Sequence, residues 1–488
     1  MLPEYGVVCL KKRNPGIFTH NGGSRVKDRS SYFCNMKYRK IFICMVSLVA
    51  MPLFSCGSSD NGISKPSDLP TGSLNENLDE NAVFPHHEPL GKGVGACPGR
   101  VVWTWDRASV DWDGKGYWWE LDNFSEASIQ RMTDDGIARL ADAPDAKTGW
   151  QILFAYNNQT RGRSGAYQPG QKIAVKANIN GAAEYDDDPH GRSHDSYTNP
   201  LVLKCLLVSL VKDAGVAPQD ITVYDVTRIF PDYMQELCQT GITKGVQFVD
   251  RTDGVPDTAA PLVWSAHRSS VENYLPTCVT EADYLINLAN LKGHNYGITL
   301  CAKNHFGSFI NDWRMRAPQQ AGLHGNLTQR KMNVYSVLVD LMGNYQLGAK
   351  TVLYMFDALI CPSENTVAIS PENSVWKQPP FNGDYTCSLF FSQDPVAIDG
   401  VGADFLMNEP TCTSLNSSLR GNASVENYLH EAALVSDPPS GTRYLDGNGR
   451  PVENLGVHEH WNNVQEKKYS RNFGKPEGIE LILVDDNE

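Results

Sequence analysis

Short apolar runs rich in β-branched and aromatic residues recur along the central part of the chain and predict buried strands. They are Lys172–Lys176, Ile221–Val226, Val246–Val249, Tyr284–Leu288, Thr351–Phe356 and Ser388–Phe391. Helical periodicity lies between them. Asn199–Asp213 places Leu203, Leu206, Leu207 and Leu210 on one face, with Pro200 at the first helical position and Gly215 as a stop. Thr328–Tyr345 repeats the pattern with Val334, Leu338, Leu341 and Met342, closed by Gly348. Pro395–Leu406 begins with Asp394 as N-cap and Pro395 at N1. Alternating strands and helices predict an α/β fold, a mainly parallel layered sheet with flanking helices. Arg100–Asn158 is aromatic-rich and predicts an edge layer or N-terminal subdomain. Asn408–Glu488, richer in Pro, Gly and Asn, reads as an irregular C-terminal wrap.

Charge divides the chain in two. Its 488 residues carry a net charge of −13. Residues 1–55 hold nine basic and two acidic side chains, so the head is +7 and the body −20. Such an acidic body excludes a dedicated nucleic-acid binder. Within the head, Lys37, Arg39 and Lys40 precede the uncharged apolar run Ile41–Phe54, too short for a comfortable membrane span but suited to an export signal. Leu53-Phe54-Ser55-Cys56 resembles a bacterial lipobox, which implies lipidation of Cys56, a membrane partner and a cell-envelope location. Met36 reads as the true start. Residues 56–93, rich in Ser, Asn, Asp, Pro and Gly, form a flexible tether. The organisation expected is therefore signal 1–55, tether 56–93, aromatic-rich part 94–170, α/β core 171–407 and wrap 408–488.

Beyond Cys56 the eight cysteines Cys97, Cys205, Cys238, Cys278, Cys301, Cys361, Cys387 and Cys412 show no C-x-x-C spacing. An iron–sulfur cluster and a zinc ribbon are therefore not expected. An exported body permits disulfides, whose pairing the sequence leaves open. No P-loop, G-x-S-x-G or dinucleotide fingerprint is present.

The segment Asp283-Tyr-Leu-Ile-Asn287-Leu-Ala-Asn-Leu-Lys292-Gly-His294, with Gly297-Ile-Thr-Leu-Cys-Ala-Lys303-Asn304-His-Phe-Gly307 after it, resembles the central signature of the DUF362 family. Lys176-Ala-Asn178, Thr198-Asn199-Pro200, Phe356-Asp357-Ala358 and Ser392-Gln-Asp394-Pro-Val-Ala-Ile-Asp399 resemble its other motifs in the same order. The resemblance spans Lys172 to Met407. It implies no defined reaction. Many members carry a ferredoxin segment, and this chain departs from them.

In a parallel sheet, ligands bind beyond the carboxyl ends of the strands. Lys176 and Asn178 end the first strand in this reading, Asp225 the second, Asn287 the fourth and Asp357 the fifth. Lys292 and His294 follow Asn287, and Asp394 and Asp399 flank the turn after the last strand. With Lys303 and Asn304, one crevice would hold three lysines, a histidine and several carboxylates. Lysines and Asn amides suit an oxyanion. His294 with Asp225 suits either a divalent metal or acid–base work. His294, Lys303, Asp225 and Asp357 are the candidate catalytic groups; Lys176, Asn178, Asn287, Lys292, Asn304 and Asp399 are candidate binding groups. Asp394 reads as a helix cap, and a structural hydrogen bond competes for Asp399.

Two further patterns carry chemistry. In His458-Glu459-His460, an extended backbone would point both imidazoles to one side, as metal ligation requires. Trp103, Trp105, Trp112, Trp118 and Trp119 either pack a core or form a platform for sugar rings. Two functions stay open: an envelope enzyme acting on a small anionic or sugar-derived molecule, and a non-catalytic ligand- or glycan-binding lipoprotein. His190 and His194 are expected on a mobile loop over the crevice.

Overall fold

The computed structural model describes residues 77–183, 188–267, 272–311, 323–365 and 367–485. The signal, Cys56 and most of the tether lie outside these residues.

Eight strands form the main sheet: β1 (Arg100–Trp105), β2 (Ile173–Ala177), β3 (Ile221–Tyr224), β4 (Gln247–Val249), β5 (Tyr284–Asn290), β6 (Thr351–Ala358), β7 (Ser388–Ser392) and β8 (Glu480–Asp485). Their spatial order is β8-β1-β7-β6-β5-β2-β3-β4. Seven run in one direction, and β7 alone runs against both of its neighbours. The six strands expected in the core are all present. The aromatic-rich segment supplies β1 and the C-terminal wrap supplies β8, so all three parts share one sheet.

The central strands β2, β5 and β6 are buried along their whole length. Strands of that kind need cover on both faces. The longest helices give it: α1 (Glu126–Leu140), α2 (Ala146–Thr160), α3 (Pro200–Lys212), α4 (Pro395–Asn408) and α5 (Ala423–Ala433). Phe390 of β7 packs on Phe405 of α4, with ring centroids 5.2 Å apart. The next residue, Phe391, lies against Gly136 of α1, where a Cβ would collide with its ring. Consecutive strand side chains point to opposite faces, so α1 and α4 cover opposite faces of the sheet.

Local signals set the helix ends. Asn199 caps α3, its side chain accepting from Leu201 N, and Pro200 occupies N1. Asp394 caps α4, accepting from Val396 N at 3.0 Å and Ala397 N at 2.8 Å. The helix expected over 328–345 is only Val337–Gly343. Arg330 and Asn333 have φ of 47° and 59°, which α-helix excludes, and Ser336 caps a later start. Of the two roles open to the tryptophans, packing is the one observed: Trp103, Trp105, Trp112, Trp118 and Trp119 are all buried. Trp103 stacks on Phe390, while Trp118 and Trp119 donate from their indoles to the carbonyls of Asp195 and Ser193. No helix among the described residues is long and apolar enough to cross a membrane.

Candidate functional site

Parallel strands bring Lys176, Asp225, Asn287 and Asp357 to the carboxyl edge of the sheet. Lys176 pairs in register with both Tyr224 and Asn287. Its ammonium donates to Asp225 Oδ2 at 2.9 Å, Asn304 Oδ1 at 3.2 Å and the Ala177 carbonyl at 2.5 Å. Thr227 occupies the other oxygen of Asp225 through its N–H at 3.0 Å and its hydroxyl at 2.7 Å. Asn304 donates to Asn287 Oδ1 at 2.8 Å, and Asn287 donates to the Cys301 carbonyl and to His305 Nε2. Gly307 closes over the pair: a Cβ there would lie 2.5 Å from Asp225 Oδ2 and 2.7 Å from Lys176 Nζ. Burial lowers the Lys176 pKa against the pull of Asp225. These residues form a self-satisfied polar floor.

Lys292 extends from just beyond β5 into the same edge. Its ammonium donates to the Ser196 carbonyl at 2.5 Å and Asn178 Oδ1 at 3.4 Å. Burial pushes it down to about 7, although Asp195 and Asp357 oppose the shift. The buried tryptophans matter here, because Trp118 and Trp119 pin the Ser193–Asp195 backbone beside Ser196. Asp357 accepts from Asn199 N at 2.6 Å and Asn290 Nδ2 at 3.1 Å, and burial pushes its carboxyl up to about 6. Its bonds hold the α3 start against the sheet.

The mouth of this cluster is cationic. Lys303 is half-buried on the short helix Cys301–Asn304. Asp399 of α4 orients that helix by accepting from Cys301 N at 2.8 Å and Ala302 N at 3.0 Å. The Lys303 ammonium lies 4.3 Å from the Phe306 ring centre and 3.4 Å from His324 Nε2. Burial, then Lys292 and Arg228, push Lys303 down to about 7. No carboxylate of the described residues pairs with it. His294 and His324 stack with centroids 6.1 Å apart. Burial and then Lys303 lower both, His324 to about 3. Arg228 is fixed by two bonds to Asn180 Oδ1.

Several expectations change on this geometry. Asp394 and Asp399 do not flank the crevice together. Because β7 is antiparallel, the turn after it lies at the amino edge of the other strands, where Asp394 also accepts from Val94 N and Val457 N. Asp399 acts as a buried cap and touches the crevice only through the helix it holds. Asp225 and His294 do not form a metal pair, since Asp225 is occupied by Lys176 and Thr227 while His294 faces cations. His194 stacks on Tyr117 at 4.4 Å, and the exposed His190 bonds Asp232. All eight described cysteines are free.

His458 and His460 do come together, away from this mouth. Their rings lie 4.8 Å apart, and Glu426 of α5 faces both. Arg228, His324, His87 and Glu426 were not singled out from the sequence. Arg228 follows Asp225 by three residues, a local signal; the other three are joined only by the fold. Two surface cavities, about 330 and 260 Å³, lie elsewhere, one beside Pro379 and Lys467 and the other at the amino edge beside Tyr156 and Gln393.

Fold and site together define an α/β protein with a buried polar floor and a cationic mouth at the carboxyl edge of its sheet. Residues 173–404 match the model of the DUF362 family, a domain of unknown function. None of the curated proteins matches the chain.

Proposed function

We propose that the mouth binds the oxyanion of a small molecule, a carboxylate or a phosphate, and that Lys303 is its first contact. The observation that carries this reading is the Lys303 ammonium itself. It faces a ring and a neutral histidine, with no carboxylate of the described residues upon it and with Lys292 and Arg228 close behind. A lysine without a carboxylate upon it, on a body of charge −20, marks a place for an anion. A lysine pushed to about 7 can also exchange a proton near neutral pH. That supports an enzyme in which Lys303 carries the proton and Lys292 and Arg228 hold the charge.

Titration of the full chain with inorganic phosphate and with acetate tests the site. Lys303→Met should weaken binding of the preferred anion at least about tenfold while leaving the circular dichroism spectrum unchanged. Equal binding by both proteins rejects the reading. A natural ligand recovered unchanged after incubation would make the site one of capture.

The lipobox-like Leu53–Cys56 supports a lipid anchor in the bacterial cell envelope. Cys56→Ala should move the protein from the membrane to the soluble fraction. Retention of the variant in the membrane fraction rejects the anchor.

A further inference from the structure

From the side chains around Glu426 we infer that His87, Glu426, His458 and His460 bind one divalent transition metal, of the zinc class in ligand preference, and that the ion clasps three distant parts of the chain. One ligand atom from each of the four lies within 4.8 Å of every other. His458 and His460 are buried and His87 is half-buried. The three ring centroids are 4.8, 5.2 and 5.4 Å apart, as expected of imidazoles arranged around a common point.

Tautomers sharpen the argument. His87 Nδ1 lies 2.8 Å from the Glu88 carbonyl, which can only accept, so Nδ1 carries the proton. Its Nε2 then presents a lone pair to the cluster, buried and with no hydrogen-bond partner. His460 Nδ1 lies 2.7 Å from Asp404 Oδ1. With that bond made by a neutral ring, His460 Nε2 and both Glu426 oxygens, 3.1 and 3.2 Å away, oppose lone pairs to one another. A cation between them turns the opposition into ligation.

The supporting shell has the same character. Metal-bound histidines commonly donate their second N–H to a carboxylate or carbonyl. Asp404 serves His460 in this way and is itself held by Tyr469 OH at 2.8 Å and Trp461 N at 3.1 Å. His430, one turn beyond Glu426, donates to Glu426 Oε1 at 2.7 Å and orients it. Three nitrogens and one oxygen from the protein fill a tetrahedral shell, the closed arrangement of structural sites. The ion would join the segment before Leu90, helix α5 and the Val457–His460 stretch. Leu90–Gly91 already pairs with Val457–His458, so the clasp continues an existing contact.

The test uses the full chain, stripped with chelator and titrated with Co²⁺ and then Zn²⁺, followed by visible absorption and elemental analysis. One Co²⁺ per chain with intense tetrahedral bands, displaced by Zn²⁺, is the expected result. His87 is half-buried near the start of the described residues, so His87→Ala should keep the fold while weakening uptake at least about tenfold. Asp404→Asn should weaken it about 10–100-fold without removing a ligand. Substoichiometric metal in the folded parent chain, or uptake unchanged in both variants, overturns the inference and leaves a cluster held by a doubly protonated His460.

Discussion

Helix α4 stands between two histidine-bearing clusters of opposite character. Its Asp399 reaches the helix that carries Lys303, while its Asp404 bonds His460 and its Gly400 lies against His458. In the first cluster His294 and His324 sit beside Lys303, and burial together with that cation keeps both neutral. In the second, His458 and His460 converge on carboxylates. The same side chain is thus a neutral wall beside an anion site and a ligand set for a cation. Neighbouring charge decides which, because burial keeps an imidazole neutral beside cations while facing carboxylates draw a positive charge to it. Lys303 of the first region has no carboxylate of the described residues upon it, and Asp404 and Glu426 of the second are turned toward histidines. Each region therefore invites the partner whose charge it lacks.

The largest effect tests whether the first cluster is built in two layers. Lys176 and Asp225 are an ion pair with side chains 1% and 5% exposed. Removing one member of such a pair strands the other charge and costs about 3–5 kcal/mol. Lys176→Met should therefore lower stability by about that amount in denaturant unfolding, whereas Lys303→Met should be close to neutral. Similar stability losses in both variants would show that Lys303 belongs to the floor, and the comparison between a paired interior and an unpaired mouth would fail.

The sheet was legible because its strands are buried on both faces and so read as unbroken apolar runs. Their polar ends followed from the rule for parallel sheets, which placed Lys176, Asp225 and Asp357 correctly at the carboxyl edge. The rule failed for Asp394, since the hydrophobic pattern of Ser388–Phe391 carries no strand direction and β7 runs backwards. A start near Thr328 was wrong for a local reason: positive φ at Arg330 and Asn333 leaves no trace in periodicity. Of the histidine–carboxylate cluster, only the His458–His460 spacing was visible. Glu426 lies 32 residues from His458. His87 comes from the stretch read as tether, and no local pattern links either to the pair. The tryptophans look alike in sequence whether exposed or buried, and burial decided their role.

The smallest effect concerns protons at the mouth. Lys303 is pushed from its ordinary value to about 7 by burial, then by Lys292 and Arg228. The protonated amine attracts an anion, and the neutral amine does not. Oxyanion affinity should then be nearly flat below about pH 7 and fall as pH rises through it, by up to about tenfold per unit while one lysine dominates. Bound anion favours the ammonium, so its binding above pH 7 takes up a proton, measurable as a buffer-dependent enthalpy. Stability without ligand runs the opposite way: between about 7 and the ordinary lysine value the unfolded chain holds more protons than the folded one, so stability should rise with pH there. The metal site supplies the contrast. Its ligands must lose protons to bind, so Zn²⁺ affinity should strengthen as pH rises over the range in which oxyanion affinity weakens. Parallel pH profiles for the two ligands would contradict the assignment of opposite charge to the two clusters.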